Sequence, residues 1–151
     1  MFKKVSLLFI INTLLGCATT SDPTHQPYVD ASTESAIVYI YRPLRTVNCC
    51  FSPNAYINDK ARGSLKNGGY LVFELPKGNY SITVGDGSYG FEAASISKQL
   101  HAGEVTYLKW VIGSIKEPNI PAMLALRNYH LQEVNLSEAK NEISNLKLSE
   151  R

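Results

Sequence analysis

The hydrophobic rhythm of the chain changes three times. Val5 to Leu15 is an almost unbroken apolar run behind Lys3 and Lys4. As a helix it rises about 16 Å, roughly half of a bilayer's hydrocarbon thickness, so it is too short to span. A basic start followed by a short apolar stretch is the pattern of an export signal. Ala18 to Ser35 is rich in Thr, Ser, Asp and Pro and has neither helical nor strand period. It reads as a flexible tether with a root-mean-square span of about 21–25 Å. From Ala36 onward short β-prone runs alternate with turn residues, the pattern of a sandwich or barrel.

Within that third region, Ala36 to Tyr41 is apolar on both faces, which suggests a strand inside the sheet. Ala55 to Ile57 leads into Asn58-Asp59, a hairpin turn pair, and Ala61 to Leu65 returns. In Tyr70 to Leu75, Leu71, Phe73 and Leu75 share one face while Tyr70, Val72 and Glu74 share the other. Leu75-Pro76-Lys77-Gly78 suits a type I turn, and Tyr80, Ile82 and Val84 then alternate with Ser81 and Thr83. Ser95 to Leu100 and Glu104 to Ile112 are expected to pair around His101-Ala102-Gly103, with Leu108, Trp110 and Ile112 on one face. Met123 to Val134 forms a last strand whose apolar phase slips, which implies a bulge near Arg127-Asn128. Ser137 is placed to cap a helix over about 137–148 that aligns Ala139, Ile143 and Leu146. The expected fold is mainly β: a small antiparallel β-sandwich with a short C-terminal helix.

Charge narrows the function classes. Lys and Arg number 15 against 13 Asp and Glu, a formal surplus of +2. Lys3 and Lys4 account for that surplus, and the remainder is neutral. Nucleic-acid binding needs a basic field, and none is left.

The apolar run closes on Leu14-Leu15-Gly16-Cys17, which resembles the lipobox of bacterial lipoproteins. The resemblance implies that residues 1–16 are removed as a signal peptide and that Cys17 becomes the lipidated N-terminus of a tether over 17–35. The folded domain then occupies 36–151. By the same resemblance, non-acidic Ala18 favours sorting to the outer membrane, with the domain facing the periplasm. Several acyl chains on one residue make such attachment practically permanent.

Ile37-Val-Tyr-Ile-Tyr-Arg-Pro43, Tyr56-Ile-Asn-Asp-Lys60, Leu65-Lys-Asn-Gly-Gly-Tyr70, Leu75-Pro-Lys-Gly-Asn-Tyr80 and Leu100-His-Ala-Gly-Glu-Val-Thr-Tyr107 follow one another in the order seen in a known family. Together they resemble bacterial lipoproteins carrying the domain of unknown function 2846. Leu131-Gln-Glu-Val134 and Ala139 to Leu148 are similar to that family's C-terminal part. The resemblance implies a transthyretin- or immunoglobulin-like sandwich and brings no catalytic residues. Cys49-Cys50 departs from it.

Those two cysteines are the most unusual chemistry in the chain. Adjacent Cα atoms lie about 3.8 Å apart, below the 4.4–6.8 Å usual for a disulfide, so a vicinal bridge would be strained and reducible. An intermolecular bridge, a soft-metal site and two thiols in a loop are the other readings. No His or further Cys lies nearby in sequence, although folding could approach them with His101 or His130. Gly85-Asp-Gly87-Ser-Tyr-Gly90 fits G-x-G-x-x-G, but no βαβ unit surrounds it, and it reads as a turn. His25, His101 and His130 are scattered, the carboxylates are dispersed, and no nucleophile motif is present. No catalytic residue, metal site or cofactor is therefore assigned, and the chain is not read as an enzyme.

Nine tyrosines and one tryptophan are the remaining signal. Core filling explains such enrichment in β proteins. The sharper reading is an exposed aromatic face formed by Tyr39, Tyr41, Tyr56 and Tyr70. The sequence thus points to a non-catalytic binding or envelope-structural module with an envelope protein or glycan as partner. The alternative is an accessory subunit that docks an envelope protein complex.

Overall fold

A computed structural model describes residues 31–46, 49–87, 92–112 and 129–149. The apolar run, Cys17, the tether as far as Asp30 with His25, the end of the Gly-rich turn and the expected bulge near Arg127-Asn128 lie outside these residues, and Ser35, assigned to the tether, opens β1. Among the described residues there are nine strands and one helix: β1 (Ser35–Arg42), β2 (Asn54–Ile57), β3 (Lys60–Ser64), β4 (Gly69–Pro76), β5 (Gly78–Val84), β6 (Ala94–Leu100), β7 (Val105–Ile112), β8 (Tyr129–Val134), α1 (Leu136–Ile143) and β9 (Lys147–Leu148). They form a five-stranded sheet, β8-β7-β1-β4-β9, and a four-stranded sheet, β3-β2-β5-β6. The fold is a β-sandwich with a short C-terminal helix.

The core between the sheets is built by strand alternation. Ala36, Val38 and Ile40 of β1, Leu71, Phe73 and Leu75 of β4, and Leu108 and Trp110 of β7 face Ala55, Ile57, Ile82, Val84, Ala94 and Leu100 of the second sheet. The opposite parity of the first sheet, Ile37, Tyr39, Tyr41, Tyr70 and Tyr107, lies under α1 with Ala139, Ile143 and Leu146. All eight residues of β1 are buried. The molecule therefore has three layers: helix, covered sheet, and a second sheet with one free face.

The Asn58-Asp59 hairpin forms as its residues predict: both adopt left-handed backbone, φ 49° and 62°, the conformation a type I′ turn demands. The Leu75-Pro76-Lys77-Gly78 turn works differently from an ordinary hairpin. It hands the chain from β4 in one sheet to β5 in the other.

The expected β6–β7 hairpin does not form. β6 pairs with β5, while β7 crosses to the first sheet and pairs in parallel with β1, Ile37 opposite Val105 and Tyr39 opposite Tyr107. The turn at His101-Gly103 is the corner. Gly103 takes φ 79°, a value that favours glycine, and its N–H donates to the Ser35 carbonyl at 2.9 Å. The Ile37 N–H donates to the Glu104 carbonyl at 2.9 Å and opens the parallel ladder. A second parallel pairing joins β9 to β4, Gly69 opposite Lys147. The other five pairings are antiparallel.

The helix also differs in detail from the sequence pattern. Its cap is Asn135, whose Oδ1 accepts from the Glu138 N–H at 2.9 Å, two residues before the expected Ser137 cap. It ends at Ile143, and Leu146 reaches the tyrosine layer from the following turn. The chain then runs as β9 beside β4. Gly69 permits that approach, because a Cβ there would sit 2.3 Å from Ser149 Oγ.

Candidate functional site

The four tyrosines nominated from sequence do not share a face. Tyr39, Tyr41 and Tyr70 are 2%, 0% and 6% exposed beneath α1. An exposed aromatic face made by them is thus excluded. The physical reason is the amphipathic helix, whose Ala139 and Ile143 cover the parity that strand alternation left outside the sandwich. Tyr39 stacks on Tyr107 with ring centroids 5.2 Å apart and lies 6.2 Å from Tyr70. Tyr56 alone of the four lies on the second sheet, half-buried on its outer face.

Buried tyrosine hydroxyls need partners, and α1 supplies one. Tyr41 Oη donates to Glu142 Oε2 at 2.6 Å, while Lys109 Nζ donates to Glu142 Oε1 and lies 3.4 Å from Glu138 Oε1. Burial and the bond to the Glu142 carboxylate push the Tyr41 phenol far above its ordinary range. For Glu142 burial acts upward, but the hydrogen bonds from Lys109 and Tyr41 outweigh it and hold the carboxyl below its usual value. This cluster fastens the helix to the sheet; its residues are 101 positions apart, so no local pattern announces it.

A second cluster caps the sandwich where β1 ends. Arg42 is 2% exposed and continues the inward parity of Ala36, Val38 and Ile40. Its guanidinium lies 5.0 Å from the centre of the Trp110 ring, and Trp110 stacks on Tyr129 at 4.2 Å with planes 4° apart. Arg42 Nη1 donates to the Phe51 carbonyl and pins the far side of the loop that carries Cys49 and Cys50. Burial lowers the Arg42 pKa, while electrostatic interaction with Tyr129 and then Cys49 acts the other way. The near side is held by a reciprocal pair: the Arg45 N–H donates to Asn67 Oδ1 at 3.0 Å and Asn67 Nδ2 donates to the Arg45 carbonyl at 2.7 Å.

In that loop the two sulfurs stand 3.2 Å apart without a covalent bond; Cys49 is half-buried and Cys50 exposed. Neither His101 nor His130 joins them: among the described residues no three His, Cys, Asp or Glu side chains gather as a metal site. Sequence reasoning passed over Arg42, yet its signal was there, since period two from Ala36 puts residue 42 inside.

The outer face of the second sheet is the third surface with shaped chemistry. Cross-strand pairs Asn79–Gln99, Ser81–Ser97 and Thr83–Ser95 line it, and Tyr56 stands opposite Thr83. Thr83 Oγ1 and Ser95 Oγ share a hydrogen bond of 2.9 Å. A shallow groove of about 430 Å³ runs there, lined by Asn79, Tyr80, Ser81, Ser97, Lys98 and Gln99. Lys98 belongs to the inward parity of β6; its Nζ turns to Glu133 at 2.7 Å and Glu104 at 3.3 Å, tying the edge of one sheet to the other. The central pairs of the face thus bear no charge. They offer hydroxyls, amides and one aromatic ring.

No helix among the described residues is long and apolar enough to cross a membrane. No curated protein matches the chain at a significant level. A family described as protein of unknown function, DUF2846, matches residues 32–121, from the turn before β1 to beyond β7. That span exceeds half of the 151 residues, and the chain belongs to the DUF2846 family.

Proposed function

We propose that the chain is an exported bacterial lipoprotein, anchored in the outer membrane through acyl chains on Cys17, whose periplasmic domain is a non-catalytic binding module. The anchor rests on the order Lys3-Lys4, apolar Val5 to Leu15, Leu14-Leu15-Gly16-Cys17, then a polar tether. The observation that carries the binding role is the uncharged outer face of β2, β5 and β6, with Tyr56 beside the Ser, Thr, Asn and Gln pairs. Such a surface suits a neutral, hydroxyl-rich polymer, the glycan of the cell envelope. Hydroxyls and amides exchange hydrogen bonds with sugar hydroxyls, and a tyrosine ring covers a sugar's apolar face without the desolvation cost of a charge.

Two experiments test the two halves separately. Metabolic labelling with palmitate should mark the wild-type chain and be lost in Cys17→Ser; equal labelling of the variant ends the lipoprotein reading. Retention of the full chain on purified peptidoglycan or envelope polysaccharide should fall about tenfold in Tyr56→Ala combined with Ser81→Asp, if each lost contact is worth under 1 kcal/mol. Unchanged retention removes the face from the proposal, and turnover of a glycan by the purified chain removes the non-catalytic role.

The second reading is an accessory subunit that docks an envelope protein complex. It is favoured by β3, an edge strand of the second sheet with exposed Lys60, Ala61 and Arg62. The two cations discourage indiscriminate strand pairing and leave the edge to a matched, acidic partner strand. Crosslinking in intact cells that yields one stoichiometric protein and no glycan would favour this reading over the first.

A further inference from the structure

We infer that Cys49 and Cys50 form a thiol–disulfide exchange site in which exposed Cys50 is the sulfur attacked and attacking, and half-buried Cys49 is the resolving and leaving sulfur. The inference concerns the loop alone and stands whether or not the chain is lipid-anchored.

Three observations support it. The sulfurs are already 3.2 Å apart, close to the roughly 2.05 Å of a bond. Both shoulders of the loop are pinned: Arg45 to Asn67 on one side, and Arg42 to Phe51 with the Leu65 N–H on the Pro53 carbonyl at 2.7 Å on the other. Opening and closing a bond between the two cysteines therefore leaves the sandwich undisturbed. The sulfurs are also unequal, since Cys50 is exposed while Cys49 is half-buried. An incoming sulfur therefore reaches Cys50 first, which leaves Cys49 as the resolving and leaving sulfur.

The reaction balances with a low-molecular-weight or protein disulfide as oxidant. The Cys50 thiolate attacks one sulfur of the incoming disulfide, forms a mixed disulfide and releases one thiolate. The Cys49 thiolate then attacks the Cys50 sulfur, closes the vicinal ring and releases the second thiolate. Two cysteine protons and two electrons leave the protein, and two thiols form. In reverse, an external thiolate attacks Cys50 and Cys49 departs as the thiolate. Because adjacent Cα atoms are closer than an unstrained bridge prefers, the ring is an oxidant and not a structural staple.

The test uses the full chain as Cys17→Ser, which leaves Cys49 and Cys50 as the two thiols. Equilibration in glutathione buffers of rising oxidised fraction should show one transition in which a monomeric chain loses two hydrogens in intact mass. Acid quenching and alkylation early in reduction of the oxidised chain should find glutathione on Cys50 in excess over Cys49, on the order of tenfold. Cys49→Ser should accumulate a stable adduct on Cys50, and Cys50→Ser should react far more slowly. A disulfide-linked dimer, or two alkylatable thiols across the whole range, overturns the site. Equal adducts on both sulfurs overturn the assignment of roles.

Discussion

The two sheets of this sandwich use the same alternation to opposite ends. In the five-stranded sheet both parities are buried: aliphatic side chains face the other sheet, and tyrosines face α1. In the four-stranded sheet one parity is buried, and the other shows Asn79, Ser81, Thr83, Ser95, Ser97 and Gln99 to solvent. Tyrosine suits the covered outer face because it supplies area and a hydroxyl that the amphipathic helix can engage, as Tyr41 does with Glu142. Serine and threonine suit the uncovered face because they pair across strands while staying hydrated. A helix over one sheet thus makes its aromatics structural and leaves the outer face of the other polar and exposed.

The helix cover is the most sensitive part of this contrast. Ile143→Ala should cost about 2–4 kcal/mol, the usual range for truncating a buried aliphatic side chain, read as a shift in the urea midpoint. Native Trp110 fluorescence should stay unchanged, since Trp110 lies on the other side of the sheet. A cost under about 0.5 kcal/mol would mean that the helix does not cover the tyrosines in solution.

Gly69→Ala comes next, at about 1–3 kcal/mol, because its Cβ would meet Ser149 Oγ at 2.3 Å and the Lys66 carbonyl at 3.0 Å. Amide exchange should speed at Lys147 and Ser149, whose N–H groups donate to the Gly68 and Tyr70 carbonyls, while β1 and β4 remain protected from each other's side. Uniform acceleration through β1 would show that β9 is not a separable unit.

Tyr41→Phe should cost about 1.5 kcal/mol, the lower end of the range for a hydrogen bond to a charged group. Its pH signature is more specific. Glu142 has a depressed folded-state pKa, so its contribution is complete above the unfolded carboxylate value and is lost as pH falls through the folded one. Without the Tyr41 hydroxyl the folded value rises toward the unfolded one, so the loss of stability with falling pH should be smaller and should end at a higher pH than in wild type. Identical acid limbs would remove Glu142 from the account. At the opposite limit, Tyr41 is held neutral, so its contribution is present below the ordinary phenol pKa and is lost as pH rises beyond it.

Thr83→Ala is the smallest change. On the uncovered face it should shift stability by no more than about 0.5 kcal/mol in thermal melts, despite losing the bond to Ser95. A shift above 2 kcal/mol would mean that this face is covered after all.

Much of this was legible from residue order. The unbroken apolar run of β1 already placed it inside the sheet, and the parity of β4 divided Leu71, Phe73 and Leu75 from Tyr70 and Val72 as found. Asn58-Asp59 announced its turn. Pairing partners were less legible: β6 and β7 flank a good turn, yet a turn specifies a reversal and not the sheet that receives the next strand. Of the candidate residues, the tyrosines could be placed on a parity but not on an exposed one. Arg42 was readable by period two, whereas its neighbours Trp110 and Tyr129 are remote in sequence.

What the sequence determined by itself is therefore local: strand parities, hairpin chemistry, the amphipathic stripe of α1, neutrality after Lys3 and Lys4, and the adjacency of Cys49 and Cys50. These depend on nearest neighbours and on periods of two and 3.6 residues. Only the tertiary structure decided which parity the helix covers, that β7 runs parallel to β1, that Arg42 caps the core beside the cysteine loop, and that the face left free is the hydroxyl-bearing one. Each joins segments tens of residues apart, where burial of the whole surface, and not the pattern of any one segment, sets the lowest free energy.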